Sequence, residues 1–114
     1  MNITQQNGTL SVTGLRELNA ANARLFHASV TTAWSHELQA IEIDLSQTHT
    51  VDGAGLGALV SLYETAGAQR KREGFALRLK NPSPSVQQIL ELARLHHLFE
   101  ITLPGGPAPA GNLK

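Results

Sequence analysis

The sequence contains no cysteine, few aromatic residues and no excess of charge of either sign. Without cysteine, the chain can form neither disulfides nor thiolate metal sites, and it has no thiol nucleophile, which suits a reducing compartment. Nine Lys and Arg residues balance nine Asp and Glu residues. The chain therefore lacks the basic excess typical of proteins that bind nucleic acid or anionic lipid.

Long hydrophobic runs are absent as well. No segment approaches the roughly 20 apolar residues of a membrane-spanning helix, and the first residues, MNITQQ, lack the basic and apolar regions of a signal peptide. We therefore expect a cytoplasmic protein without direct membrane insertion. Its 114 residues suffice for one domain, which we place at residues 1–103. The remaining stretch 104–114, PGGPAPAGNLK, is predicted to be a flexible tail.

Strand and helix patterns alternate along the first half of the chain. Asn7-Gly8 is typical of a two-residue turn and predicts a hairpin within residues 3–13. A helix is predicted at about residues 20–38, with Asn19 as its N-cap. The alternating, β-branched sequence at residues 41–45 predicts a strand.

The second half continues the same alternation. A helix is predicted from near Gly53 to about residue 72, closed by a left-handed Gly74. Strands are predicted at residues 75–80 and 99–103, and Ser83-Pro84 is typical of the start of an intervening helix.

The resulting order, β-β-α-β-α-β-α-β, predicts an α/β fold. Alternating strands and helices imply right-handed crossovers and a mixed, mostly parallel sheet of four to five strands with three or more helices. The free edges of such a small sheet permit dimers, although the sequence leaves the oligomeric state open.

One ordered set of motifs points to a family. A strand ending in Asp44-Leu45-Ser46 is followed by the loop Asp52-Gly53-Ala54-Gly55-Leu56 and then a helix. This set resembles the central signature of STAS domains, the fold of the anti-sigma factor antagonists, in which the loop reads Asp-Ser-Ser/Ala-Gly-Leu. The resemblance covers roughly residues 9 to 102. Three flanking stretches also resemble the family, at residues 17–21, 79–84 and 92–95.

The chain departs from the family at the modification site. In phosphorylated members the residue after the loop aspartate is serine or threonine, and a partner kinase modifies it. Here that residue is Gly53, and the next is Ala54, so neither can carry a phosphoester. A phosphate at a helix N-terminus would add nearly two negative charges and repel a docked protein. The remaining nearby hydroxyls, as weaker alternatives, belong to Thr50, Thr48 and Ser46.

The second helix is predicted to present one face to the core and another to a partner. The core face comprises Leu56, Leu59, Val60, Tyr63 and Gly67, and the outward face comprises Gly57, Ser61, Glu64, Thr65 and Ala68. Small outward residues permit close approach of another backbone, although the glycines would also serve tight packing within the domain. With the resemblance included, the expected partner-binding residues are Asn19, Asp52, Gly53, Ala54, Gly55, Gly57 and Ser61.

The resemblance implies a non-enzymatic regulatory module acting through protein partners. The expected partner is an anti-sigma factor or a related kinase-like regulator, in transcription regulation by partner switching. Some small STAS proteins are instead subunits of lipid-trafficking ABC transporters and bind the ATPase. The sequence leaves both possibilities open.

Other kinds of site find little support. The spacing G-x-G-x-G at residues 53–57 is not the dinucleotide fingerprint, and no Gly-Lys-Ser/Thr follows. Asp44 and Asp52 could form a carboxylate pair for acid–base chemistry or Mg²⁺, but we expect Asp44 to accept loop N–H groups and Asp52 to cap its helix. The five histidines lack the common metal-binding spacings. We therefore expect no catalytic residue, metal or cofactor.

Overall fold

The computed structural model describes residues 1–103, and the predicted tail at residues 104–114 lies outside the described residues. The elements in chain order are strands β1 (Asn2–Gln6), β2 (Thr9–Thr13) and β3 (Glu17–Leu18); helix α1 (Ala23–Thr32); strands β4 (Ala40–Asp44) and β5 (Thr50–Val51); helices α2 (Gly53–Thr65) and α3 (Gly67–Arg70); strand β6 (Ala76–Lys80); helix α4 (Pro84–Leu92); a 3₁₀ turn (Leu95–His97); and strand β7 (Glu100–Thr102).

The main sheet has five strands in the order β1-β2-β4-β6-β7. Strand β1 is antiparallel to β2, and the remaining neighbours are parallel. This confirms the predicted α/β fold with a mixed, mostly parallel sheet. Strands β3 and β5 form a second, two-stranded parallel sheet that the sequence did not indicate, because two residues are too few to show a period.

The predicted hairpin turn is confirmed. Asn7 and Gly8 have φ angles of 54° and 80°, the left-handed values that a type I′ turn requires at both central residues. The turn fixes the register of β1 against β2, with Gln6 opposite Thr9 and Ile3 opposite Val12.

The two faces of the main sheet differ in polarity. One face carries buried apolar side chains that share a single core with helices α1, α2 and α4. The sheet residues of this core are Leu10, Val12, Ile41, Ile43, Leu77 and Leu79. The other face is polar, and the register aligns Ser11, Glu42, Arg78 and Glu100 in one row across it. Parallel sheets are usually covered on both faces, so this open face is a distinguishing feature.

Helix α1 is shorter than predicted, and Asn19 is not its N-cap. The helix begins after Asn22, whose side chain accepts from the Asn19 N–H at 2.9 Å instead of capping α1. The Asn19 carbonyl accepts from the N–H of Ala23 at 2.8 Å, so residues 19–22 form a preceding turn. At the other end the helix stops at Thr32, before residue 38, and the Trp34 indole N–H donates to the side chain of Gln69.

The second predicted helix is interrupted. Helix α2 ends at Thr65 and α3 resumes at Gly67, whereas the sequence predicted one helix to about residue 72. Glycine has a low helix propensity, and Arg70 Nε donates to the carbonyl of Tyr63 at 2.8 Å beside the break. The predicted closing residue Gly74 does have a positive φ, 87°.

The buried side of α2 is wider than the predicted one. Its buried residues are Gly55, Ala58, Leu59 and Leu62. The predicted core residues Leu56, Val60 and Tyr63 are partly buried and pack against the same core, and Gly67 is half-buried. Helix α1 packs against α2, and Ala58 and Leu62, which were assigned to neither predicted face, are buried as well.

The last helix begins as predicted. Ser83 is the N-cap of α4, its hydroxyl accepts from the Val86 N–H at 3.3 Å, and Pro84 occupies the first turn. None of the helices within residues 1–103 is long and apolar enough to cross a membrane.

Candidate functional site

The small β3–β5 sheet brings two loops together. Leu18 is in register with Val51, and the Asp52 N–H donates to the Leu18 carbonyl at 3.2 Å. Because the strands are parallel, the turn that follows β3 and the start of α2 that follows β5 lie at the same edge. The predicted site residue Asn19 is thereby placed beside the Asp52 loop.

Asp52 links these two loops through its carboxylate. Its Oδ1 accepts from the Gly55 N–H at 3.0 Å and caps α2, as expected. Its Oδ2 accepts from the Ala20 N–H at 3.1 Å, in the turn before α1. Gly53 is consequently the first helical residue and not the N-cap.

The same hydrogen bonds tune the acidity of this side chain. The N–H of Gly55 lowers the pKa of Asp52 most, partial desolvation opposes it, and the N–H of Ala20 lowers it further. A carboxylate that accepts backbone N–H groups is stabilised in its charged form. Asp52 is therefore ionised under ordinary conditions and holds both loops as an anion.

The three glycines of this loop have different surroundings. A Cβ added to Gly53 or Gly57 would meet no atom within 4 Å, and both residues are exposed. A Cβ on Gly55 would overlap the carbonyl oxygen of Leu18 and lie 2.7 Å from its carbon. Gly53 and Gly57, with exposed Ala54, therefore form open surface, whereas Gly55 is enclosed and serves the packing of α2 on β3.

The turn at Asn19 is held by its own side chains. Asn19 Nδ2 donates to the Glu17 carboxylate at 3.2 Å, and its Oδ1 accepts from the Ala21 N–H at 2.9 Å. Asn22 Nδ2 donates to the Glu17 carbonyl at 2.7 Å. Asn19 is half-buried, so these bonds fix the shape of the turn and leave Ala20 and Ala21 exposed beside the Asp52 loop.

A groove between α1 and α2 extends this surface. Its volume is about 320 Å³, and its lining residues are Ala23, Arg24, His27, Ala28, Ala54, Ala58 and Ser61. Ala54 and Ser61 were predicted from the sequence, whereas the contribution of α1 was not, because only the packing of the two helices brings Arg24 and His27 beside them. Ser61 is half-buried in this groove, while the other predicted outward residues of the helix, Gly57, Glu64, Thr65 and Ala68, are exposed.

The hydroxyl groups near the loop differ in accessibility. Thr48 is only 2% exposed, and its hydroxyl donates to the Leu15 carbonyl, which argues against it as a kinase substrate. Thr50 and Ser46 are exposed. The Ser46 N–H donates to Asp44 Oδ1 at 3.0 Å, the loop contact expected for Asp44. Within residues 1–103, no group of three or more His, Cys, Asp or Glu side chains could hold a metal ion.

Comparisons with known proteins show which family and which solved structures this chain is similar to. The family model described as STAS domain matches residues 1–104, and no curated protein matches the sequence. Among solved structures, that of TM1081, a candidate anti-sigma factor antagonist from Thermotoga maritima, has a TM-score of 0.76 at 23% identity and covers 88% of this chain and 83% of its own.

Two structures of the anti-sigma factor antagonist SpoIIAA are also similar. The unphosphorylated form has a TM-score of 0.70 at 18% identity, covering 88% of this chain and 85% of that one. The phosphorylated form of the Bacillus cell fate determinant SpoIIAA has a TM-score of 0.61 at 17% identity, covering 88% of each chain. At these identities the structures show a shared fold. With the family model spanning nearly the whole sequence, the chain belongs to the STAS domain family.

Proposed function

We propose that this protein is a non-enzymatic regulatory module that binds a protein partner in the manner of the anti-sigma factor antagonists. The partner surface comprises the Asp52 loop, the exposed start of α2 and the neighbouring turn at Asn19. Its partner is an anti-sigma factor or a related kinase-like regulator, and the module acts in the cytoplasm in transcription regulation by partner switching.

The observation that carries this proposal is the double hydrogen bond of Asp52. One carboxylate oxygen holds Ala20 and the other holds Gly55, so two loops that are 32 residues apart form one surface with a fixed shape. A preorganised surface loses little conformational freedom when a partner docks. The exposed residues at its centre, Gly53, Ala54 and Gly57, are small enough for another backbone to approach closely.

We further propose that phosphorylation of this loop does not control partner binding. Gly53 is the first residue of α2. A phosphate at this position would accept hydrogen bonds from unpaired backbone N–H groups and would add nearly two negative charges. Glycine cannot form that phosphoester. At this position the docking surface therefore keeps the same charge whether or not a kinase is active.

The experiment compares the wild-type protein with Gly53→Ser, which introduces an acceptor at a position where an added Cβ meets no atom within 4 Å. Both proteins are incubated with ATP and the cognate kinase, and their intact masses are measured. We expect one phosphate on Gly53→Ser and none on the wild type. Stoichiometric phosphate on the wild-type loop between Asp44 and Gly57 would defeat the proposal, and an unmodified Gly53→Ser protein would contradict the assignment of the loop.

Co-purification from cell extract tests the identity of the partner. We expect the wild type to retain a kinase-like regulator and Asp52→Ala to lose it. Recovery of an ABC transporter ATPase in its place would assign the protein to lipid trafficking. Equal recovery of the partner by the wild type and Asp52→Ala would show that Asp52 is not part of the partner surface.

A further inference from the structure

The first strand of the main sheet has an unprotected outer edge. Strand β1 pairs only with β2 within the described residues 1–103 and forms one end of the sheet. Its sequence, NITQQ, has no charged residue and no proline, and its five residues pair with β2 in unbroken register without a bulge. Charge, proline and bulges are the usual devices that prevent an edge strand from pairing with another chain.

The opposite edge of the sheet does have such protection. Strand β7 has only three residues, and it carries Glu100, whose carboxylate is ion-paired with Arg78 at 2.8 Å. Short length and charge both discourage pairing at an edge. Of the two edges of the main sheet, β1 is therefore the one that is open to pairing with another strand.

The hairpin turn determines which residues of β1 point outward. A type I′ turn at Asn7-Gly8 makes the flanking Gln6 and Thr9 a hydrogen-bonded pair. Since hydrogen-bonded and non-bonded pairs alternate in antiparallel strands, Thr4 and Asn2 also bond toward β2. Ile3 and Gln5 therefore direct their N–H and C=O groups to the free edge.

We propose that β1 pairs antiparallel with β1 of a second copy of this chain, about a two-fold axis at Thr4. In this register Ile3 lies opposite Gln5 of the second copy and Gln5 lies opposite Ile3 of the second copy, so all four outward N–H groups and all four outward carbonyls find partners. Thr4 lies opposite Thr4 of the second copy on the open polar face. The absence of charge on β1 means that no like charges meet across the axis.

This pairing would join the two main sheets into one of ten strands. A two-fold axis between antiparallel strands is perpendicular to the sheet, so the parallel strands of the two copies would run in opposite directions. Helix α2 begins where the crossover leaves the carboxyl end of β4. The two Asp52 surfaces would then lie at opposite ends of the dimer, where two partners can bind without collision. The dimer itself does not depend on the proposed function.

The test uses charge at the two-fold axis. Thr4 is exposed, so Thr4→Lys and Thr4→Glu leave the core intact. We expect the wild type to show a concentration-dependent monomer–dimer equilibrium in sedimentation velocity. Each variant alone should be a monomer, because like charges then face each other directly, and an equimolar mixture of the two should regain the dimer.

A second variant tests the hydrogen bonds. Gln5→Pro removes an outward N–H without removing a bond to β2, as proline is tolerated where the N–H faces solvent, and it should weaken the dimer about tenfold or more. Circular dichroism and thermal unfolding verify that each variant folds. A wild type that stays monomeric at its solubility limit would overturn the inference. So would a dimer that Thr4→Lys and Gln5→Pro leave unchanged, or an edge that pairs only with a strand of another protein.

Discussion

The carbonyl group of Leu18 occupies the space that a side chain at Gly55 would require. This close approach packs the first turn of α2 against the end of β3. The Asp52 carboxylate accepts from the Ala20 N–H after β3 and from the Gly55 N–H in α2. The candidate surface is therefore positioned by backbone contact as well as by a side chain, and its geometry depends on one glycine.

Replacement of Gly55 by alanine should destabilise the fold. The added Cβ would overlap the Leu18 carbonyl and force α2 away from β3, which we expect to reduce the free energy of unfolding by about 1–3 kcal/mol. Urea unfolding followed by circular dichroism measures the change. The matched control is Gly57→Ala in the same helix, where the Cβ meets no atom within 4 Å; it should stabilise by about 0.5–1 kcal/mol. Equal stability of the two variants would contradict the proposed crowding.

Asp52→Asn should weaken the fold at neutral pH and much less in acid. The pKa of Asp52 is lowered from 3.8 in the folded protein, first by the Gly55 N–H. Its contribution is therefore fully present above the unfolded-state value and is lost as pH falls through the lower folded-state pKa. Unfolding of both proteins by urea across this range gives the difference in stability. A difference that stays constant down to the most acidic point would show that the charge of Asp52 plays no part.

The two ion pairs of Arg78 on the open sheet face should contribute unequally to the stability of the fold. The bond to Glu100 is shorter, 2.8 Å against 3.0 Å for Glu42, and it raises the pKa of Arg78 most. The Glu100 side chain is 61% exposed, however, while that of Glu42 is 22% exposed, so water screens the Glu100 pair more strongly. We expect the larger coupling for Arg78–Glu42, within about 0.2–1 kcal/mol.

Double-mutant cycles that combine Arg78→Ala with Glu42→Ala or Glu100→Ala measure these couplings. Added salt should reduce the Glu100 coupling further, because exposed pairs are screened more than partly buried ones. A larger coupling for Glu100 at every ionic strength would show that geometry outweighs exposure at this face.

Gly57→Arg should abolish partner binding while the protein remains folded. The position is exposed and open, and a long cation there would obstruct another backbone at the start of α2. Retention of the partner in a pull-down assay is the measurement. Gln88→Arg provides a matched control, since Gln88 is exposed on α4 and lies outside the proposed surface. Loss of binding in both variants would point to a general charge effect.

Ser61→Arg is a less clean test of the same surface. Ser61 is half-buried in the groove between α1 and α2, so its replacement would disturb the packing of the two helices as well as the partner surface. Loss of binding by this variant is informative only if its thermal unfolding matches the wild type.

Local signals determined most of the fold from the sequence. The Asn7-Gly8 turn, the Ser83 cap and the alternation of strands and helices act within a few residues, and the structure confirms each of them. The motif at Asp52 indicated the STAS family, which the match over residues 1–104 supports. Gly53 and Ala54 likewise show from the sequence alone that neither position after Asp52 carries a hydroxyl.

The start of α1 and the burial of individual glycines depend on contacts between distant segments, so they follow only from the tertiary structure. The N-cap position of α1 is Asn22 and not the predicted Asn19, because the turn before the helix bonds to Asp52 through the Ala20 N–H. No pattern near Asn19 reveals this partner 32 residues away. Gly55 and Gly57 look alike in sequence, yet one is enclosed by Leu18 and the other is open. The physical reason is that backbone geometry and capping are local interactions, whereas burial and loop-to-loop hydrogen bonds exist only after the chain has packed.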